Sequence, residues 1–318
     1  MFIPIDTSYI LEVYFDDNSI KKIEYKTLPN VSNVFQGAAF GNFAGRCLIM
    51  GGHASNGQCC EFGEEKYQLI PSLIVNRWSA ASTFIQNKVV LTGGFRANIR
   101  ANIGYNPYML DSIEVLDWDE TNHGSQWITS PSRLPIKTSH HTMVTCNNKL
   151  YVIGGCHEHG DIYDSDDSDS SDGSVLSDDE LCANYVRSNK VWEGIFDSQT
   201  NKISWVEMGF RLQYKRYNHF SFVISNEIIT FGGNFAFCDS ENDRVEIIQG
   251  NKLRQGPKVP FEIDAKYDQA ILDRKNRIII ISKYNDLIVY DHKKRKFRRQ
   301  ANFKLRKARE SPLVAILQ

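Results

Sequence analysis

The dipeptide Gly-Gly occurs four times in this chain, and each copy closes a short run of β-branched and apolar residues. The runs are Cys47-Leu48-Ile49-Met50 before Gly51-Gly52, Val89-Val90-Leu91-Thr92 before Gly93-Gly94, Leu150-Tyr151-Val152-Ile153 before Gly154-Gly155, and Ile228-Ile229-Thr230-Phe231 before Gly232-Gly233. A fifth copy, Ile278-Ile279-Ile280-Ile281, ends in Ser282-Lys283. Such a repeat means one supersecondary unit that cannot bury its apolar surface alone and must stack on its neighbours.

The runs are short, unbroken and rich in Val and Ile, which predicts strands buried on both faces rather than helices. Ahead of each lies a turn signal: Ala44-Gly45-Arg46, Asn87-Lys88, Asn147-Asn148-Lys149, Asn226-Glu227 and Asn276-Arg277. Ahead of each turn lies another strand-like segment, so each unit begins with a hairpin. A second pair of strands follows in each unit. Ser112 to Trp118 leads to Gln126-Trp127-Ile128, Val191 to Phe196 leads to Ile203-Ser204-Trp205-Val206, and Leu287 to Tyr290 leads to Lys296-Phe297-Arg298. Four antiparallel strands per unit make a propeller blade.

These units resemble kelch repeats. The family pattern is a basic residue and a His before the first strand, Gly-Gly after the second, then an aromatic residue and a Trp on the outer strands. The third unit carries Lys137-Thr138-Ser139-His140, Gly154-Gly155, Phe196 and Trp205. Leu116 stands in the aromatic position before Trp127, and Phe297 replaces the Trp of the fifth unit. In register, the blade-opening residues read Asn33, Arg77, Lys137, Arg216, Lys266 and Arg309, followed three positions later by Gln36, Ala80, His140, His219, Gln269 and Pro312. Six openings predict an all-β, six-bladed kelch-type propeller. The last opening leaves only 313–317 for a strand, so N-terminal strands at 10–15 and 20–25, with 2–5, are expected to complete that blade and close the ring.

Six blades use the whole chain, which predicts a single domain over 1–318. Net charge is −1, so overall charge gives no reason to expect nucleic-acid binding. No apolar run approaches membrane-spanning length, and the start of the chain, with Asp6, lacks the basic region of a secretory signal. The seven cysteines are odd in number and irregularly spaced, as expected of reduced thiols in a cytoplasmic or nuclear protein.

One stretch interrupts the repeat. Within 156–187, the run Asp161 to Glu180 (DIYDSDDSDSSDGSVLSDDE) is acidic, Ser-rich and nearly free of apolar residues. It is expected to form a disordered loop inserted in blade three. Ser177, followed by Asp178-Asp179-Glu180, fits an acid-directed kinase site, and a phosphate there would strengthen any docking of this loop onto cations.

Loops joining the second and third strands share a face with the links between blades. That face is expected to gather Arg77, Lys137, Arg216, Lys266 and Arg309, together with the blade-two loop from Phe95 to Asp111 and its Arg96, Arg100, Tyr105 and Tyr108. One reading is a rim of cations and aromatic rings that grips an acidic peptide. The other is that the five repeating cations bond carbonyls of neighbouring blades, while the blade-two loop, which the repeat does not need, is the contact surface. The basic run Lys293 to Arg299 falls in an outer turn of blade five, on the opposite side.

Cys156-His157-Glu158-His159, with His140 and His141, offers ligand types without a second cluster at metal-site spacing, so no metal is expected. No phosphate loop, nucleophile elbow or zincin motif is present, and no cofactor is expected. The resemblance implies a non-catalytic interaction module with a protein partner, such as a substrate adaptor for a cullin-type ubiquitin ligase or a binder of the actin cytoskeleton. The alternative is a kelch-like propeller enzyme acting on a small acidic ligand at the channel mouth.

Overall fold

The computed structural model describes residues 2–6, 9–15, 20–27, 37–43, 46–53, 55–62, 67–100, 104–118, 126–158, 185–233, 244–260, 263, 265, 268–273, 275–282 and 286–299. The chain begins with an antiparallel three-stranded sheet of β1 (Phe2–Asp6), β2 (Tyr9–Phe15) and β3 (Ile20–Thr27). Blade one follows, with β4 (Ala39–Phe43), β5 (Arg46–Met50), β6 (Cys59–Phe62) and β7 (Tyr67–Ile70). Blade two pairs β8 (Ala81–Ile85), β9 (Lys88–Thr92), β12 (Ser112–Asp117) and β13 (Trp127–Arg133). Between its second and third strands it inserts a separate hairpin of β10 (Phe95–Arg100) and β11 (Gly104–Met109).

Blade three has the same plan, with β14 (Thr142–Cys146), β15 (Lys149–Ile153), β18 (Val191–Asp197) and β19 (Lys202–Glu207). Its inserted hairpin is β16 (Cys156–Glu158) with β17 (Tyr185–Arg187). Blade four comprises β20 (Phe220–Ile224), β21 (Glu227–Phe231), β22 (Arg244–Gln249) and β23 (Lys252–Lys258). Blade five comprises β24 (Gln269–Leu272), β25 (Arg277–Ile281), β26 (Leu287–Asp291) and β27 (Lys296–Arg299).

The expected count of six is thereby corrected to five four-stranded blades. The three N-terminal strands do form one sheet. The segment expected to pair with it, 313–317, and the openings Asn33, Lys266 and Arg309 lie outside the described residues. The inserted run placed at 156–187 also narrows, because its two ends pair as β16 and β17, and 159–184 lies outside the described residues.

In blades two to five the first hairpin turns where the sequence places its Asn. In blades two, three and four both central residues have positive φ: Gln86 and Asn87 (48° and 60°), Asn147 and Asn148 (49° and 59°), and Ser225 and Asn226 (51° and 63°). Two such residues match the right-handed twist of the strands, and Asn tolerates the conformation through local hydrogen bonding.

Apolar burial lies between blades. Leu48, Met50, Val89 and Leu91 pack blades one and two, and Val90, Val115, Leu150 and Val152 pack blades two and three. Ile153 and Ile228 join blades three and four, while Ile229, Phe231, Ile278 and Tyr290 join blades four and five. Each fully buried side chain of this size contributes roughly 1.5–3 kcal/mol. Even double-sided burial is what an unbroken run of Val and Ile supplies.

The Gly-Gly pairs lock consecutive blades. The N–H groups of Gly52, Gly94, Gly155 and Gly233 donate to the carbonyls of Arg77, Thr138, Arg216 and Ile263 at 2.9, 2.9, 2.7 and 2.7 Å. A Cβ on the preceding glycine would lie 2.4–2.8 Å from the same carbonyl oxygen, and both glycines of each pair have positive φ. Only glycine combines that backbone with that approach.

A second ring of hydrogen bonds runs inside the first. Ser79 N–H donates to the Gly37 carbonyl, His140 to Ser79, Asn218 to His140, and Ala265 to Asn218. Gly37, Ser79, His140 and Asn218 all have φ between 52° and 69°. Together the two rings correct the register of the openings. Arg77, Thr138, Arg216 and Ile263 are equivalent, so in blade three the repeat position is Thr138 rather than Lys137, and its histidine is His141 rather than His140. Blade five is opened by Ile263, ahead of the expected Lys266.

Candidate functional site

The two inserted hairpins, β10–β11 and β16–β17, follow Gly-Gly directly and therefore rise on the face shared with the blade links. They are tied to those links and to each other. Trp78 bridges Phe95, and Ser139 bridges Cys156, as isolated antiparallel pairs. The Phe95 and Tyr185 rings are 5.4 Å apart. Met109 N–H donates to Glu158 Oε1 at 3.4 Å, and Lys137 Nζ lies 3.8 Å from Glu158 Oε2.

Beneath the hairpins an aromatic floor spans blades one to four. Trp78 stacks against His53 (4.8 Å) and Phe95 (5.1 Å), and His140 meets Phe95 edge-on at 5.6 Å and Tyr217 at 6.1 Å. The Arg187 guanidinium sits 5.3 Å over the Tyr217 ring. Cys156 Sγ lies 3.7 Å from His140 Nδ1 and 3.5 Å from Ser139 Oγ. Thiol and imidazole are within reach of proton exchange, but the cysteine is 3% exposed. Among the described residues no group of three or more His, Cys, Asp or Glu side chains is arranged to hold a metal ion.

The opening cations divide sharply. Arg77 and Arg216 are fully buried. Arg77 donates to the carbonyls of Gly93 (3.0 Å) and Ser112 (2.9 Å) and to Glu114 Oε1 (2.6 Å). Arg216 donates to the carbonyls of Gly232 and Arg244, both at 2.7 Å, and to Glu246 Oε2 at 2.8 Å. Each carboxylate also accepts from the incoming link: Glu114 from Ile74 and Val75 N–H, Glu246 from Gln213 N–H. Burial lowers the Arg77 guanidinium from its usual range, and Glu114 opposes that effect. These two arginines bolt blades together and do not face a ligand, which corrects their assignment to a binding rim.

In blade three the opening position is Thr138 and the third-strand position equivalent to Glu114 and Glu246 is Trp192, so that blade has neither member of the buried pair. Lys137, one residue before the opening, is 46% exposed on the hairpin face. Arg96 and Tyr108 pair across the β10–β11 hairpin and are both exposed. Arg100 and Tyr105 sit by register near its tip. Arg96, Tyr108 and Lys137 are thus exposed at the paired hairpins, and Arg100 and Tyr105 are located by register alone. Lys266, Arg309 and Ser177 lie outside the described residues.

Sequence reasoning missed the aromatic floor. Its signal was present: His53, Phe95 and Cys156 each follow a Gly-Gly, and Trp78, Ser139 and Tyr217 each follow a blade opening.

The repeated four-stranded sheets, locked through Gly-Gly and arranged around a hydrogen-bonded hub, define a β-propeller. Residues 137–168 match the Kelch motif, and together with the propeller arrangement this match supports a kelch-repeat propeller family. Among solved structures, that of YjhT is similar over 86% of this chain and 85% of its own, with a TM-score of 0.62 and 15% identity. At that identity the likeness speaks for the fold alone. No curated protein sequence matches the chain.

Proposed function

We propose that this propeller is a non-catalytic protein-interaction module that takes a protein or peptide on its Gly-Gly face. The observation that carries the reading is the pair of packed hairpins that a four-stranded blade does not require. They present Arg96, Tyr108 and Lys137 above an aromatic floor. Exposed Arg and Tyr beside buried rings make a contact surface of low entropic cost. A role as a ubiquitin-ligase substrate adaptor or actin-cytoskeleton binder in the cytoplasm or nucleus follows from the kelch resemblance. The free, buried cysteines 47, 59, 60, 146 and 156 are compatible with a reducing compartment.

Against the enzyme alternative stands the burial of Arg77 and Arg216, which removes two of the cations that would have bound a small acidic ligand. Closure of the ring is proposed to run through the N-terminal sheet of β1, β2 and β3 together with 313–317.

The test is affinity purification from native extract at moderate salt, with mass spectrometry, comparing the whole chain with Arg96→Glu/Tyr108→Ala. A protein retained by the first and lost by the second supports the module. A partner set unaffected by the variant refutes this face, and turnover of a small acidic ligand by the purified chain refutes the non-catalytic reading.

A further inference from the structure

Blade five gathers six cations at its outer turn and last strand. Lys293, Lys294, Arg295, Lys296, Arg298 and Arg299 are all exposed. Lys294 meets Asp291 at 3.6 Å and Arg299 meets Asp286 at 2.5 Å. Lys293, Arg295, Lys296 and Arg298 have no acidic partner among the described residues.

The turn that holds them has a direct counterpart. Blade three links its outer strands through Asp197-Ser198-Gln199-Thr200-Asn201, and blade five through Asp291-His292-Lys293-Lys294-Arg295. The last residue of each turn is left-handed, Asn201 at φ 55° and Arg295 at φ 48°. Asn suits that conformation, whereas a long side chain there is uncommon. Among the described residues, Arg295 is the one non-glycine at positive φ with a permanent charge. The turn therefore holds an unfavourable residue whose cation makes no bond that stabilises the blade.

The strand beyond the turn is a sheet edge. β27 ends the order β24-β25-β26-β27, and among the described residues no strand pairs with its outer side. Phe297 turns inward against Tyr290 at 4.8 Å, so the two-residue period of a strand directs Lys296 and Arg298 to the other side. Blade three covers its equivalent edge differently, with Ile203 N–H donating to Ser132 Oγ of blade two at 2.8 Å. Cations on an open edge repel neutral or basic strands. An acidic strand would neutralise them and satisfy the edge together.

We propose that the outer edge of blade five binds an extended acidic peptide segment of a partner, added as a fifth strand along β27, with carboxylates opposite Lys296 and Arg298 and at the Lys293–Arg295 turn. This surface lies on the side opposite the paired hairpins and is independent of them. The patch is only a hairpin tip and one short strand, on a chain of net charge −1. A nucleic-acid duplex or a bilayer spreads its affinity over a broader basic face, so neither fits as well.

The probe is a fluorescein-labelled 12-residue Asp/Glu peptide, followed by anisotropy on the full chain at 50 and 200 mM salt. A turn variant, Lys293→Gln/Lys294→Thr/Arg295→Asn, installs the last three residues of the blade-three turn. An edge variant, Lys296→Thr/Arg298→Thr, keeps strand-forming residues. Salt-sensitive binding is expected, weakened about tenfold or more in each variant, with the turn variant melting no lower than the parent. Amide exchange in β27 should slow when the peptide is bound. Equal binding by the variants overturns the proposal, as does binding without added protection in β27. Capture of a 12-base-pair duplex or phosphatidylserine vesicles in place of the peptide overturns the choice of partner. Loss of peptide binding in Arg96→Glu/Tyr108→Ala, with both blade-five variants unaffected, would move the site to the other face.

Discussion

Replacing Arg216 with Met tests whether the blade-opening arginines serve the fold or a ligand. The guanidinium is fully buried, and its three bonds of 2.7–2.8 Å join the link before blade four to Glu246, Gly232 and Arg244. Removing it leaves a fully buried carboxylate without its counter-ion and two carbonyls without donors. Losing one partner of a buried ion pair costs about 3–5 kcal/mol, a large share of the roughly 5–15 kcal/mol that holds a domain folded. Equilibrium urea unfolding should show that loss as a lowered midpoint with little change in slope. Arg216→Met/Glu246→Leu should recover a substantial part of it, because no stranded charge remains. Lys137→Met, at the exposed neighbour of the equivalent blade-three position, should cost less than about 1 kcal/mol. A loss below about 1 kcal/mol for Arg216→Met would refute the reasoning. So would a variant of unchanged stability that no longer binds a partner.

Acidification should destabilise the propeller through its buried histidines. His141 Nε2 and His219 Nε2 bond Thr92 and Thr142 hydroxyls, each at 2.9 Å. Burial, with the nearby His140, lowers the His141 pKa to about 3, and burial with Arg216 holds His219 well below its usual value. A depressed histidine leaves the unfolded chain binding more protons, so this stability is whole above about pH 6.5 and falls as pH drops toward the folded value. At pH 5 His141 alone should account for roughly 2 kcal/mol, with His219 adding in the same direction. A urea midpoint unchanged between pH 7.5 and 5 would contradict this. Gly154→Ala places a Cβ 2.6 Å from the Arg216 carbonyl at φ 60°, and thermal melting should show a loss of at least about 2 kcal/mol. Deleting 313–318 should lower the melting temperature if those residues complete the N-terminal sheet, and an unchanged melt would refute that closure.

Legibility followed the range of the interactions. The strands, their Asn turns and the double-sided burial of Val89–Leu91 or Ile278–Ile281 are local consequences of residue type, and all were readable. The blade-two loop was visible as surplus to the repeat, although its folding as a paired hairpin was not. The register of blade three was misread by one residue. Lys137 and His140 mimic the motif as well as Thr138 and His141 do, and only the carbonyl that Gly94 meets tells them apart.

The sequence by itself determined the repeat, the propeller architecture and which loops are surplus to it, because strand propensity, turn chemistry and the demand for glycine act over a few residues. Only the tertiary structure decided what each opening cation does. Arg77 and Arg216 are buried because Glu114 and Glu246, 37 and 30 residues further along, lie beneath them. Blade three has Thr138 at the opening and Trp192 in the carboxylate's place, so no such pair forms there, and Lys137, one residue earlier, stays exposed. A charge is drawn inward only where a partner offsets its desolvation, and that partner is chosen by the register between strands rather than by neighbours in the chain.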